Sequence, residues 1–140
     1  MNSGESKLKI FILLIAFTAF SQNSFSQVDQ SALTEAQKVL RSSSKRQDII
    51  SKDKKAQDAD QFASEVVGGD PALKNEMYGV SADVLNHVMQ ASDGDPAKAQ
   101  ELLLKAMKDP KQFLQSLPAA EQEKIRQIAN SAERKKNAKP

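Results

Sequence analysis

Three Asp-Pro pairs, Asp70-Pro71, Asp95-Pro96 and Asp109-Pro110, constrain this chain more than any other feature. An aspartate at an N-cap accepts a hydrogen bond from a first-turn amide that has no helical partner, and a proline at the first helical position has no amide to leave unpaired. Each pair therefore predicts a helix start. Gly68-Gly69 and Gly94, just ahead of the first two, supply residues that tolerate positive φ where the preceding segment ends. Gly-Asp-Pro-Ala occurs at Gly69 and again at Gly94. This is either a two-copy helical repeat or the same capping solution reached twice, and solenoids need about three units or more.

Periodicity agrees with the punctuation. No stretch alternates apolar and polar residues as a strand would, so the fold class predicted is all-α. Val84, Leu85, Val88 and Met89 fall on a stripe about 140° wide, behind a Ser81 N-cap, which predicts a helix over 82–91. Between Pro96 and Lys108, Ala99, Leu102, Leu103, Ala106 and Met107 share one side. Leu104 widens that arc to about 200°, the mark of a helix that is central or covered by a partner. Leu104 is thereby a candidate partner contact. A last helix over 118–134 keeps Leu117, Ile125, Ile128, Ala129 and Ala132 on a narrow stripe, and a short helical turn over 111–117 carries Phe113 and Leu114.

Large apolar residues are unevenly spread, with 6 Val, Ile, Leu, Met, Phe or Tyr in residues 27–61 and 20 in 62–128. The expectation is a small helical bundle of four or five short helices over 62–134, preceded by a polar, partly ordered helical arm over 27–61. The Ser42-Ser43-Ser44 run breaks the arm into a short helix near 31–41 and a longer one near 46–67. Ile49, Ala56 and Ala63 recur at heptad spacing, but Lys52 interrupts the seam and alanine buries little, so the arm is either solvated and frayed or gains order by pairing with a copy of itself or another protein. Ile49 and Phe62 are its candidate contacts.

The first 26 residues read as a cleaved secretory signal peptide. Lys7 and Lys9 precede an eleven-residue run, Ile10 to Phe20, and then SQNSFSQ. A bilayer span needs about 20 apolar residues, so stable membrane insertion is not expected after cleavage. Ser24 and Ser26 support cleavage before Gln27, and Ala19 and Ser21 an earlier cut. Without cysteine there is no disulfide, thiolate metal site or lipid-modified junction. The absence of Asn-x-Ser/Thr acceptors fits a bacterial periplasmic or extracellular protein.

Charge is polarised along the mature chain: net +1 over 27–60, −5 over 61–95 and +5 over 96–140. The near-neutral total gives no case for nucleic acid. Arg134, Lys135, Lys136 and Lys139 form a basic end, read as a disordered tail over 135–140 with capacity to touch an anionic surface. His87 is the single histidine and Asp83 lies one turn before it, half of a general-base arrangement, but both fall outside the apolar stripe. One histidine without cysteine builds no zinc site, Asp93-Gly94-Asp95 lacks the later ligands of a calcium loop, and no phosphate loop or nucleophile elbow is present.

Leu33-Thr34-Glu35-Ala36-Gln37 resembles the Leu-Thr-x-x-Gln signature of the small helical periplasmic stress chaperones of the Spy and CpxP type. Leu117-Pro118-Ala119-Ala120-Glu121-Gln122 looks like a second copy with one extra residue and proline in place of threonine. The resemblance implies an all-helical dimer whose cradle holds unfolded clients.

The reading that follows is an exported, non-enzymatic interaction, accessory or regulatory protein of the cell envelope. Its partner is another envelope protein or a second copy, and no cofactor is expected. The alternatives are a holdase-like chaperone and an enzyme or ligand site around Asp83 and His87.

Overall fold

A computed structural model describes residues 30–138. The signal-peptide reading, the Gln27 start and Lys139 lie outside the described residues. Within them the chain forms α1 (Gln30–Arg41), α2 (Ser43–Lys52), α3 (Lys54–Val66), α4 (Pro71–Ala91), α5 (Pro96–Lys108), α6 (Pro110–Ser116) and α7 (Ala119–Ala138), with no strand among the described residues.

All three Asp-Pro pairs start helices. Asp70 Oδ1 accepts from the amides of Ala72 at 2.8 Å and Leu73 at 3.0 Å. Asp95 caps α5 through Ala97 at 2.9 Å, and Asp109 caps α6 through Gln112 at 3.0 Å. Gly68 and Gly94 take φ of +68° and +73° at the turns before α4 and α5. The two Gly-Asp-Pro-Ala segments thus do the same local job ahead of helices of 21 and 13 residues. The same cap without proline occurs at Asp53, whose carboxylate accepts from Lys55 N at 2.8 Å. It divides the helix expected over 46–67 into α2 and α3.

The helix expected to begin at Ser81 is instead the second half of α4, which runs unbroken from Pro71. Ser81 is buried and donates its hydroxyl to the Met77 carbonyl at 2.8 Å. A serine can satisfy itself this way inside a helix as well as at a cap, and burial of Met77, Tyr78, Val80 and Ala82 around it selects the interior. Apolar side chains therefore surround α4 on several sides, and α1, α3, α5 and α7 all pack against it.

The expectation of a solvated arm over 27–61 fails at α1. Leu33 is 2% exposed and Leu40 0%, and with Ala36 they belong to the same core cluster as Met77, Leu85, Leu103 and Ile128. Positions 33, 36 and 40 lie on one face of a helix, so few apolar residues suffice when all point the same way. A boundary at residue 61 thus does not separate unpacked from packed chain. Of the expected narrow stripe, Ile125, Ile128 and Ala132 are buried on α7 and Leu117 is buried just before it, while Ala129 is half-buried.

Helix α5 buries Ala99, Leu103 and Ala106. Met107, expected on that buried side, is 44% exposed, because α4 and α6 cover only part of the wide arc. The tail expected from residue 135 is helical up to Ala138. Lys135 pairs there with Asp70, and a Cβ on Gly68 would lie 3.6 Å from the Lys135 Cβ, so this end of α7 rests on the turn before α4.

Leu40→Ala tests the placement of α1. Removing a fully buried leucine costs about 2–5 kcal/mol, whereas the same change on a solvated arm stays within about 0.5 kcal/mol. Urea denaturation of the two proteins measures the difference, and the larger loss is expected.

Candidate functional site

Between the flanking helices α1 and α7, α4 presents Glu76, Gly79, Val80 and Asp83 at helical spacing. Together they form a cleft of about 320 Å³. Arg41, at the end of α1, and Lys124, in α7, converge on one carboxylate: Arg41 Nη2 donates to Asp83 Oδ1 at 2.8 Å, and Lys124 Nζ donates to Oδ2 at 3.3 Å. Both cations are half-exposed, so the two ion pairs fix geometry more than they add stability. Val80 and Ile128 give the cleft an apolar wall, and Gln127 adds an amide at its edge.

Gly79 stands out in this setting. A glycine inside a helix costs about 0.5–1 kcal/mol relative to alanine. A Cβ built at Gly79 would meet nothing within 4 Å, so no neighbour requires the side chain to be missing. Its absence keeps the cleft open.

A second polar cluster ties α2 and α3 to α4. The Arg46 guanidinium donates to the Leu40 carbonyl at 2.6 Å and to Asn75 Oδ1, and it lies 4.4 Å over the Tyr78 ring centroid. Tyr78 donates its hydroxyl to Asp60 Oδ1 at 2.9 Å, and Lys74 donates to Asp60 Oδ2 at 3.0 Å. Burial raises the Tyr78 hydroxyl well above its ordinary value, and the adjacent Asp60 carboxylate adds to the effect. Burial of Arg46 works the other way and lowers the pKa of its guanidinium. This clasp binds partners already within the chain, which marks it as structural.

Asp83 and His87 are not assembled into a base pair, since both Asp83 oxygens accept from cations on other helices. His87 is half-buried and does not line the cleft. Of the proposed contact residues, Leu104 is 49% and Phe62 44% exposed, on α5 and α3, while Ile49 on α2 is half-buried. Arg134 and Lys136 are exposed on the last turns of α7, and Lys135 is engaged by Asp70. No group of His, Cys, Asp and Glu among the described residues is placed to hold a metal ion. No described helix is long and apolar enough to cross a membrane. Sequence reasoning missed Arg41, Glu76, Gly79 and Lys124, and the one local signal for any of them was a glycine in the middle of an apolar helix.

Tyr78→Phe keeps the ring under Arg46 and removes the hydrogen bond to Asp60, at a cost of about 1.5 kcal/mol near neutral pH. The pH dependence has a definite sign. Because the folded state holds the Tyr78 proton more tightly than the unfolded chain, its contribution is complete below about pH 10 and is lost as pH rises beyond it. Denaturation series in alkaline buffer should show the two proteins converging above that pH. Since Tyr78 is the single tyrosine, the phenolate absorbance band reports its titration directly.

No family model matches this chain, and neither the curated proteins nor the solved structures contain a significant match to it.

Proposed function

We propose that this is an exported, non-enzymatic interaction protein of the cell envelope whose partner docks on the outer face of α5. The observation that carries the reading is the pair Leu104 and Met107, 49% and 44% exposed and one helical turn apart. Large apolar side chains left half in water on adjacent positions of one helix favour a covering surface. Lys98, Lys105 and Lys108 outnumber Glu101 on the same helix, and Lys105 pairs with Glu101 at 2.9 Å. The chemistry that fits is an amphipathic helix with apolar side chains between acidic ones. The eleven-residue apolar run behind two lysines at the N-terminus supports export.

A holdase-like chaperone is the second reading, favoured by the resemblance at Leu33 to Gln37. Leu33 and Ala36 are spent on the core, and Glu35 of that motif pairs with Lys45 at 3.1 Å.

A photo-crosslinking residue at position 104 separates the two in envelope fractions. One stoichiometric product, lost when Met107→Glu is added, is the expected result, and a smear of unrelated exported proteins would favour the chaperone. Burying the exposed part of Leu104 is worth about 1 kcal/mol, and a charge there adds a desolvation cost, so Leu104→Glu should weaken partner binding tenfold or more. Its circular dichroism should be unchanged, and loss of helicity would show Leu104 to be part of the core.

A further inference from the structure

We infer that the cleft between α1, α4 and α7 is a binding site for a short zwitterionic peptide of about three residues. Its ends carry opposite charge. At one end Arg41 and Lys124 each spend a donor on Asp83. A guanidinium has five N–H donors and an ammonium three, so both have donors left for an incoming carboxylate. At the other end Glu76 is exposed and takes part in no ion pair among the described residues. It offers a carboxylate to an ammonium group.

The spacing sets the length of the ligand. Glu76 and Asp83 are two turns apart within the unbroken helix α4, about 10 Å at 1.5 Å per residue. An extended chain covers about 3.3–3.6 Å per residue, so three residues reach from one end to the other and a single amino acid does not. Between the ends the wall is Val80 and Ile128, with Gly79 leaving room for a side chain. The middle residue of the peptide is therefore apolar. The Gln127 amide can both donate to and accept from the peptide backbone. A cleft of about 320 Å³ lies at the lower end of the range of small-ligand sites, as a tripeptide requires.

The charges select against simpler ligands. An inorganic anion would meet the one positive charge that Arg41 and Lys124 keep in excess of Asp83 but would gain nothing from Glu76. A peptide uses both ends at once, and blocking either terminus leaves one charge without its complement. This site is separate from the α5 surface and stands whether or not a protein docks there.

Calorimetric titration of the full chain with Ala-Leu-Ala is the test, alongside the N-acetylated and C-amidated forms of the same peptide. Binding is expected for the free peptide, with a loss of tenfold or more on blocking either terminus. Glu76→Gln, an exposed change, should reproduce the N-acetyl loss, and Gly79→Leu should remove binding by filling the cleft while circular dichroism stays unchanged. If Gly79→Leu disturbs the fold, Gly79→Ala serves in its place and should still weaken binding severalfold. Leu104→Glu should bind Ala-Leu-Ala like the parent. No heat with Ala-Leu-Ala at millimolar concentration, or equal binding of free and blocked peptides, overturns the assignment.

Discussion

Helix α4 has too much apolar surface for one neighbour to cover. Leu73, Met77, Val80 and Val84 point one way, and Tyr78, Leu85 and Val88 extend the apolar surface around the helix. In a chain without cysteine, no covalent link can hold a partial cover in place. Helices α1, α3, α5 and α7 are therefore drawn onto α4, α2 reaches it through Arg46 on Asn75 and Tyr78, and α6 follows α5. Coverage of α4 explains why α1, poor in large apolar residues, is nonetheless packed. Its Leu33, Ala36 and Leu40 meet the helix that most needs a neighbour.

Polar chemistry then settles what apolar packing leaves loose. Helices α2 and α3 bury little beyond alanines and Val66, so their position depends on Arg46, Tyr78, Asp60 and Lys74, a set in which each charged or polar head has a partner. On the opposite side, Asp83 serves α1 and α7 at once. The same residue that aligns the two flanking helices thereby sets the width of the cleft between them. Structural ion pairing and a ligand site share an address here because the cleft exists where two helices are held apart over a glycine.

Much of this was legible locally. Asp-Pro caps and positive-φ glycines act through neighbours two or three residues away, so Asp70, Asp95, Asp109, Gly68 and Gly94 could be read from the sequence as helix punctuation. The exposed Leu104 was likewise visible from the width of its arc. What failed were choices made by tertiary contacts. Ser81 could cap a helix or hydrogen-bond back within one, and only burial decides. The count of apolar residues before position 62 understated α1, since their shared face mattered more than their number. Arg41 and Lys124 lie about forty residues from Asp83 on either side, and no local pattern announces such a meeting. The likeness at Leu33 to Gln37 fell on a helix face used for packing.

Helices α1 and α7 together enclose α4 as one cooperative unit, with α2 and α3 attached through a polar clasp. Native-state hydrogen exchange resolved by residue tests it directly. Amides around Leu40 in α1 and Ile128 in α7 are expected to exchange only as slowly as global unfolding permits, together with those around Leu85 in α4, while amides in α2 and α3 open at lower free energy. Exchange of α1 at the rate of a frayed segment, with α4 and α7 still protected, would contradict it.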